Sequence, residues 1–399
     1  MKHTYLLIDK KKLNQNKNKF CKLTLIFLFI ILNYFLQIKI KEPNNLNNIQ
    51  NFINININHK LINQNQKFIK YNEPKLSIII SVYNGEPYLK TAVRSIQNQD
   101  FKNIEIIIVD DCSKDNSIDE IKKLMNEDPR IIFLKNSENK GALYTKSKGI
   151  LMAKGKYVLT LDVDDLYTSE YTFSTLLKIA EKNNLDLLGF CIMMSERNIL
   201  KKGFSFHHDW ETEVLFQPNV SYMMYSFDKD NKPKRVGDVI SAYLMKRKIL
   251  VASIKEIDNE TMNKKIIHHD DLFIFFLLSR KAKNIKQIKT PFYLCLYNPG
   301  YNQTLIDLHI KEKTKSHIEY GCLSYLYYIK FILKKTSDSF VDKQIASLEL
   351  KNWYLDNYCR NDLYSKETGI QICKLFLKNK YINNDIKTEI RVFLNETKN

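Results

Sequence analysis

A chain of 399 residues, 44% of them hydrophobic, can build one large domain or two ordinary ones and is not a disordered protein. Its 62 Lys and Arg against 44 Asp and Glu leave a formal charge of +18. The lysines are spread between apolar residues and form no single basic arm, so charge alone does not choose among a nucleic acid, an anionic membrane face and a phosphate-bearing substrate. The seven Cys are widely spaced, with no CxxC pair and no Cys/His cluster at zinc-finger spacing, which argues against a structural zinc site and leaves the compartment open.

At the N-terminus, Lys10, Lys11, Lys12, Lys17, Lys19 and Lys22 precede the apolar run Leu23 to Ile38. The run is shorter than the ~20 residues of a comfortable span, and no small-residue cleavage site follows it. An uncleaved signal anchor over residues 23–38 is the favoured reading, with a cleaved signal or a surface helix as alternatives. The positive-inside tendency keeps the basic tail 1–22 cytoplasmic and places everything beyond residue 40 in a lumen, where sequons at Asn219, Asn259, Asn302 and Asn395 are open to glycosylation. Residues 39–73 are dominated by Asn, Gln, Ile and Lys without a sustained helical period, and read as a stem; the alternation Asn51 to Asn58 leaves an edge strand as the alternative.

After Pro74 the composition turns apolar and β-branched. The run Leu76 to Val82 predicts a buried strand ending in the turn-prone Tyr83-Asn84-Gly85. In chain order follow a helix through Tyr88 to Asn98, a strand Glu105 to Val109, and a helix opened by Ser117 with Glu120 three residues on. Next come a strand Ile131 to Leu134, a helix Ala142 to Ala153, a strand Tyr157 to Leu161, a helix Ser169 to Lys182 and a strand Asp186 to Phe190. This alternation predicts an α/β fold with a mostly parallel sheet covered on both faces, whose ligands sit beyond the carboxyl ends of the strands. Val239 to Ile249 and Asp271 to Lys281 read as helical, and a unit spanning 74–304 gives way to a helical region over 305–399.

The acidic residues carry the chemistry. One predicted strand ends in Asp110-Asp111 and another in Asp162-Val163-Asp164-Asp165. Three carboxylates within four residues repel one another unless a cation neutralises them, and oxygen-only ligands favour Mg²⁺ or Mn²⁺. The alternative is a pair of solvated loops whose Asp residues cap the following helices. Both clusters falling on one crevice weakens that alternative.

The ordered set of motifs resembles the family 2 inverting glycosyltransferases, which share the GT-A, Rossmann-like fold. Ser77 to Gly85 looks like the family's opening strand and turn, Ser95 to Gln99 followed by Ile106 to Ser117 like its nucleotide-binding strand, and Gly155-Lys156-Tyr157 leading to Asp162-Val163-Asp164-Asp165 like its D-x-D region. On this resemblance 74–304 is a catalytic domain in which Ser81, Asp110 and Asp111 serve the nucleoside of the donor, with Asp111 accepting from the base. Asp164 and Asp165 hold the metal and the sugar diphosphate, with Asp162 supporting them. Asn139-Lys140-Gly141 is similar to the loop before the next helix and offers Lys140 to the donor. Lys146-Ser147 departs from the Arg-Asn common there; Lys can offer charge to a phosphate but not a fork of parallel donors. Asp270-Asp271 in Ile267 to Phe273 resembles the segment carrying the catalytic base, which implies Asp271 for that role, with a helix cap as the alternative; His268 and His269 read as exposed loop residues, with a metal ligand or a partner supporting the site as the alternative for one of them. Pro291 to Gly300 looks like a closing strand, with Tyr301 to Thr304 as a lid.

The expected activity is transfer of a hexosyl or N-acetylhexosaminyl group from a nucleotide-diphosphate sugar, a UDP-sugar first among them, to a glycan, protein or lipid acceptor. Mn²⁺ or Mg²⁺ is the expected cofactor, and a single-pass membrane protein of the Golgi or endoplasmic reticulum with a lumenal catalytic domain is the expected setting. A catalytically silent, glycosyltransferase-like scaffold is the alternative from another class; the intact carboxylate set speaks against it. No helix-turn-helix, zinc-finger or aromatic RNP-like signature supports a nucleic-acid partner.

Overall fold

A computed structural model describes residues 46–57, 67–196 and 239–297, the backbone of four short strands between 205 and 235, and helical positions between 324 and 392. The expected anchor at 23–38 and lid at 301–304 lie outside these residues. Among the described residues no helix is long and apolar enough to cross a membrane.

The chain order is α1 (Leu46–Ile57), β1 (Leu76–Val82), α2 (Glu86–Gln97), β2 (Ile104–Asp110), α3 (Ser117–Glu127), β3 (Ile131–Lys135), α4 (Ala142–Met152) and β4 (Tyr157–Asp162). It continues with β5 (Leu166–Tyr167), α5 (Thr172–Lys182), β6 (Leu187–Glu196), the short strands β7 (Ser205–His207), β8 (Leu215–Phe216), β9 (Tyr225–Phe227) and β10 (Pro233–Arg235), then β11 (Tyr243–Lys246). Helices α6 (Arg247–Ile254), α7 (Asn259–Met262) and α8 (Asp270–Lys281) lead into β12 (Asn284–Tyr297).

The main sheet runs β3-β2-β1-β4-β11-β6-β12-β5. Strands β3, β2, β1 and β4 are parallel, as continuous apolar runs connected through helices require. Every residue of β2 is buried, so both faces of the sheet are covered there. Each fully buried Ile in these strands contributes roughly 2 to 3 kcal/mol by leaving water. Register matters for the site: Ser81 pairs with Asp162 across β1/β4, and Val82 pairs with Asp110 across β1/β2. The two acidic clusters therefore emerge side by side at the carboxyl edge of the sheet.

Two segments differ from the sequence reading. Val239 to Ile249, expected to be helical, holds a 3₁₀ turn Ile240–Ala242, then β11, and enters α6 only at Arg247. Strand β11 slots antiparallel between β4 and β6, and a buried apolar run of that length suits either element until a neighbouring strand claims it. The segment read as a stem without helical period contains α1. Ile49, Ile53 and Asn56 are buried at helical spacing; Ile49 and Ile53 pack on Leu166, Met193 and Leu294, and Asn98 Nδ2 donates to Asn56 Oδ1 at 2.7 Å. Further on, Tyr328 and Phe331 meet Phe273 of α8 at ring-centroid distances of 5.2 and 5.4 Å, so part of the C-terminal region backs the helix that opens with Asp270.

Candidate active site

The donor side is built by locking two turns together. Asn84 NH donates to Ser113 Oγ at 2.9 Å, Lys114 NH to Asn84 Oδ1 at 2.8 Å and Glu86 NH to Asp115 Oδ2 at 3.1 Å. Ser117 begins α3, but Asn116 occupies the cap position; the Ser117 hydroxyl accepts from Gly85 NH at 3.0 Å and so joins α3 to the turn after β1. Asp110 is fully buried and accepts from Ser113 NH at 3.2 Å. Ser81 is partly exposed near the carboxyl end of β1.

Asp111, 4% exposed, organises the loop leading to α4. Its Oδ1 accepts from Asn136 Nδ2 and Lys140 NH, and its Oδ2 from Gly141 NH, each at 2.8 Å. Most of the acceptor capacity expected to read the nucleobase is thus taken by the protein, and Asp111 first of all frames the pocket wall. Gly141 follows with φ of +88°, and a Cβ there would lie 2.5 Å from the Ile266 carbonyl oxygen, so the loop packs directly on the chain that carries Asp270 and Asp271. The Lys140 ammonium pairs with Glu138 at 2.6 Å near the surface; what Lys140 gives to Asp111 is its backbone amide.

After β4, the turn closed by Asp165 NH on the Asp162 carbonyl separates the three expected metal ligands. Asp165 is turned inward: Oδ2 accepts from the Tyr293 hydroxyl at 2.7 Å and Oδ1 from Leu296 NH at 3.0 Å, tying the turn to β12. Burial, then the Asp164 and Asp162 charges, push its carboxyl well above the usual carboxylate range. Asp165 is therefore a structural tie between β4 and β12, whereas Asp162 and Asp164 are both partly exposed. Among the described residues no three His, Cys, Asp or Glu side chains converge as a metal cage. Two carboxylates completed by substrate phosphate oxygens and water are what Mg²⁺ ordinarily takes, and Mn²⁺ accepts the same oxygen donors, so the residues fit either ion.

Asp270 and Asp271 open α8. His269 before them adopts a left-handed backbone, φ +59°, and its carbonyl accepts from Leu272 NH. Lys146 reaches in from α4: its ammonium lies 2.8 Å from Asp270 Oδ2, 2.8 Å from Asp271 Oδ1 and 3.5 Å from Asp162 Oδ1. The other oxygen of Asp271 accepts from Ile240 NH at 3.2 Å. Burial pushes the Asp271 carboxyl well above the usual carboxylate range, with Asp270 and Asp162 adding to the shift and Lys146 opposing it. Burial acts on Asp270 in the same sense, but Lys146 overrides it and holds that carboxyl below its ordinary value. The Lys146 ammonium is raised well above a free lysine, because Asp162, Asp270 and Asp271 outweigh its own burial.

Ser81, Asp110, Asp111, Asp162 and Asp164 thus gather at one sheet edge, with Asp271 joined to Asp162 through Lys146. Asn136, Tyr293 and the Ile240 amide were not singled out as site contacts from sequence. Tyr293 lies in the run recognised as the closing strand; the other two carried no signal.

A family model for glycosyl transferase family 2 matches residues 77–281, which covers the sheet edge and both acidic pairs. Over 130 residues the chain is 38% identical to a Campylobacter jejuni protein named GalNAc(5)-diNAcBac-PP-undecaprenol beta-1,3-glucosyltransferase, the match covering 32% of this chain and 42% of that one. Over 94 residues it is 43% identical to an Escherichia coli UDP-Glc:alpha-D-GlcNAc-diphosphoundecaprenol beta-1,3-glucosyltransferase, covering 24% of this chain and 37% of the relative. The matches thus span less than half the length of either relative. Among solved structures, S. aureus TarS 1-349 in complex with UDP-GlcNAc superposes with a TM-score of 0.54 at 16% identity, over 79% of this chain and 83% of that one, which speaks to the fold alone.

Proposed function

Because the chain belongs to glycosyl transferase family 2 and is a glycosyltransferase, we propose that it moves a sugar from a UDP-sugar to a hydroxyl of a glycan, protein or lipid acceptor, with inversion at the anomeric carbon. The observation that carries this reading is the meeting of the strand-end carboxylates with Asp271 through one lysine, which brings a donor side and a proton acceptor into a single crevice. The names of the two bacterial relatives favour a lipid-diphosphate-linked glycan among the acceptor classes.

In this mechanism the locked turns at Asn84 and Ser113 and the loop framed by Asp111 bind and orient the nucleoside. Asp271 accepts the proton of the acceptor hydroxyl as that oxygen attacks opposite the leaving diphosphate. Its two oxygens are held by Lys146 and Ile240 NH, and each keeps a lone pair for the incoming hydroxyl. Asp162 and Asp164 would hold Mg²⁺ or Mn²⁺, which when bound supplies charge neutralisation for the diphosphate. The Asp165–Tyr293 tie keeps that turn in place.

The test is a donor panel offered to the full-length chain in detergent, with and without Mn²⁺, alongside Asp164→Ala. The proposal expects one UDP-sugar to be turned over with metal only, and Asp164→Ala to be silent. An intact chain that binds no nucleotide sugar under either condition returns the silent-scaffold reading.

A further inference from the structure

From sequence, Lys146 reads as an ordinary solvated helix lysine or, on the resemblance, as a charge offered to a phosphate. In the structure its side chain is 5% exposed and its ammonium sits among three carboxylates: Asp270 and Asp271 from α8, and Asp162 from β4. The ammonium donates to Asp271 Oδ1, and its single point of charge also lies within ion-pair distance of Asp270 and Asp162, whereas a planar guanidinium is shaped to fork onto one or two carboxylates. Asp270 is buried and Asp271 beside it is only partly exposed; without a cation between them, one carboxylate would be forced to take up a proton or turn away. Lys146 and Ile240 NH, one on each oxygen of Asp271, together fix the orientation of that carboxylate.

Resting on the transferase reading above, we propose that Lys146 is a positioning residue for the base: its ammonium holds the Asp271 carboxylate in its aimed orientation and joins it to the donor-side strand end at Asp162, instead of binding the donor's diphosphate. The assignment separates two roles that a lone basic residue near a diphosphate usually combines. A phosphate contact acts on donor affinity, while a holder of the base acts on the chemical step.

The experiment compares the full-length chain with Lys146→Met and Lys146→Arg by calorimetric titration with UDP and by turnover at saturating acceptor. Lys146→Met is expected to lose about 100-fold or more in kcat while UDP affinity stays within about threefold, and Lys146→Arg to regain part of the rate, because it restores charge without the three-way geometry. A loss of UDP affinity about tenfold or greater with kcat retained at saturating donor overturns the proposal, as do parallel losses in both or no change in either. Should Lys146→Met fail to fold by circular dichroism, Lys146→Arg decides alone: a lowered kcat at unchanged UDP affinity supports the assignment, and any other result overturns it. Failure of the unmodified chain to bind UDP or turn over any donor is a separate outcome, and removes the transferase reading itself.

Discussion

Two adjacent aspartate pairs, one at the carboxyl edge of the sheet and one joined to that edge through Lys146, are held in opposite ways. Asp110-Asp111, at the end of β2, is surrounded by neutral donors: the amides of Ser113, Lys140 and Gly141 and the side chain of Asn136. Asp270-Asp271, at the start of α8, is held by a full positive charge on Lys146, with one backbone amide on Asp271 Oδ2. Amide donors fix one pair as part of the wall, while a single counter-charge sits between the two carboxylates of the other. The same residue type thus serves as frame on one side and, in the proposed mechanism, as proton acceptor on the other.

The largest effect that separates the pairs is at Asp271. Asp271→Asn is expected to lose about 10³-fold in kcat, near 4 kcal/mol of transition-state stabilisation, while still binding UDP in calorimetry. The same group is then expected to set the acid limb of activity. The base must be ionised, and burial places its titration above the ordinary Asp value of about 3.9, so kcat should rise with pH along a limb displaced upward from that value. A kcat that stays flat from about pH 4 to 8 would contradict the assignment of Asp271.

On the framing side the expected loss is in stability and donor binding. Asp111→Ala takes the acceptor from the Lys140 and Gly141 amides and one of two acceptors from Asn136, and should lower stability by about 2 to 3 kcal/mol, read as a fall in thermal midpoint, together with weakened UDP binding. Gly141→Ala forces a side chain into a left-handed conformation against the Ile266 backbone and is expected to cost about 1 to 3 kcal/mol. Because that contact joins the two pairs, both kcat and UDP affinity should fall, unlike in either Asp variant. The smallest change is Asn98→Ala, which removes the bond to Asn56 that helps dock α1 and should cost about 1 kcal/mol without altering kcat.

The framing half was largely legible in the sequence. Strands β1, β2 and β4 are continuous apolar runs ending in polar turns, and a parallel sheet buried on both faces produces that pattern. The base half was legible only in its motif. Strand β11 is an antiparallel insertion in a short buried run, which carries no period of its own. In α1 the Asn-Ile alternation masked a helical face, because Ile49 and Ile53 lie four residues apart while the Ile residues between 53 and 57 recur every second position. The carboxylates were found by type and place, but not their roles: Asp165 shares its run with Asp162 and Asp164, and only the Tyr293 hydroxyl and Leu296 amide from distant β12 turn it inward. Lys146 was noted as a departure, and its three partners come from elements that folding brings together.

The most direct test measures UDP binding and turnover side by side for Asp111→Asn and Asp271→Asn. The expected result is a split: Asp271→Asn binds UDP as the unmodified chain does and loses about 10³-fold in turnover, whereas Asp111→Asn weakens UDP binding. If Asp271→Asn retained turnover, or if UDP affinity were lost in Asp271→Asn and kept in Asp111→Asn, the division of the crevice into a frame and a base would be wrong.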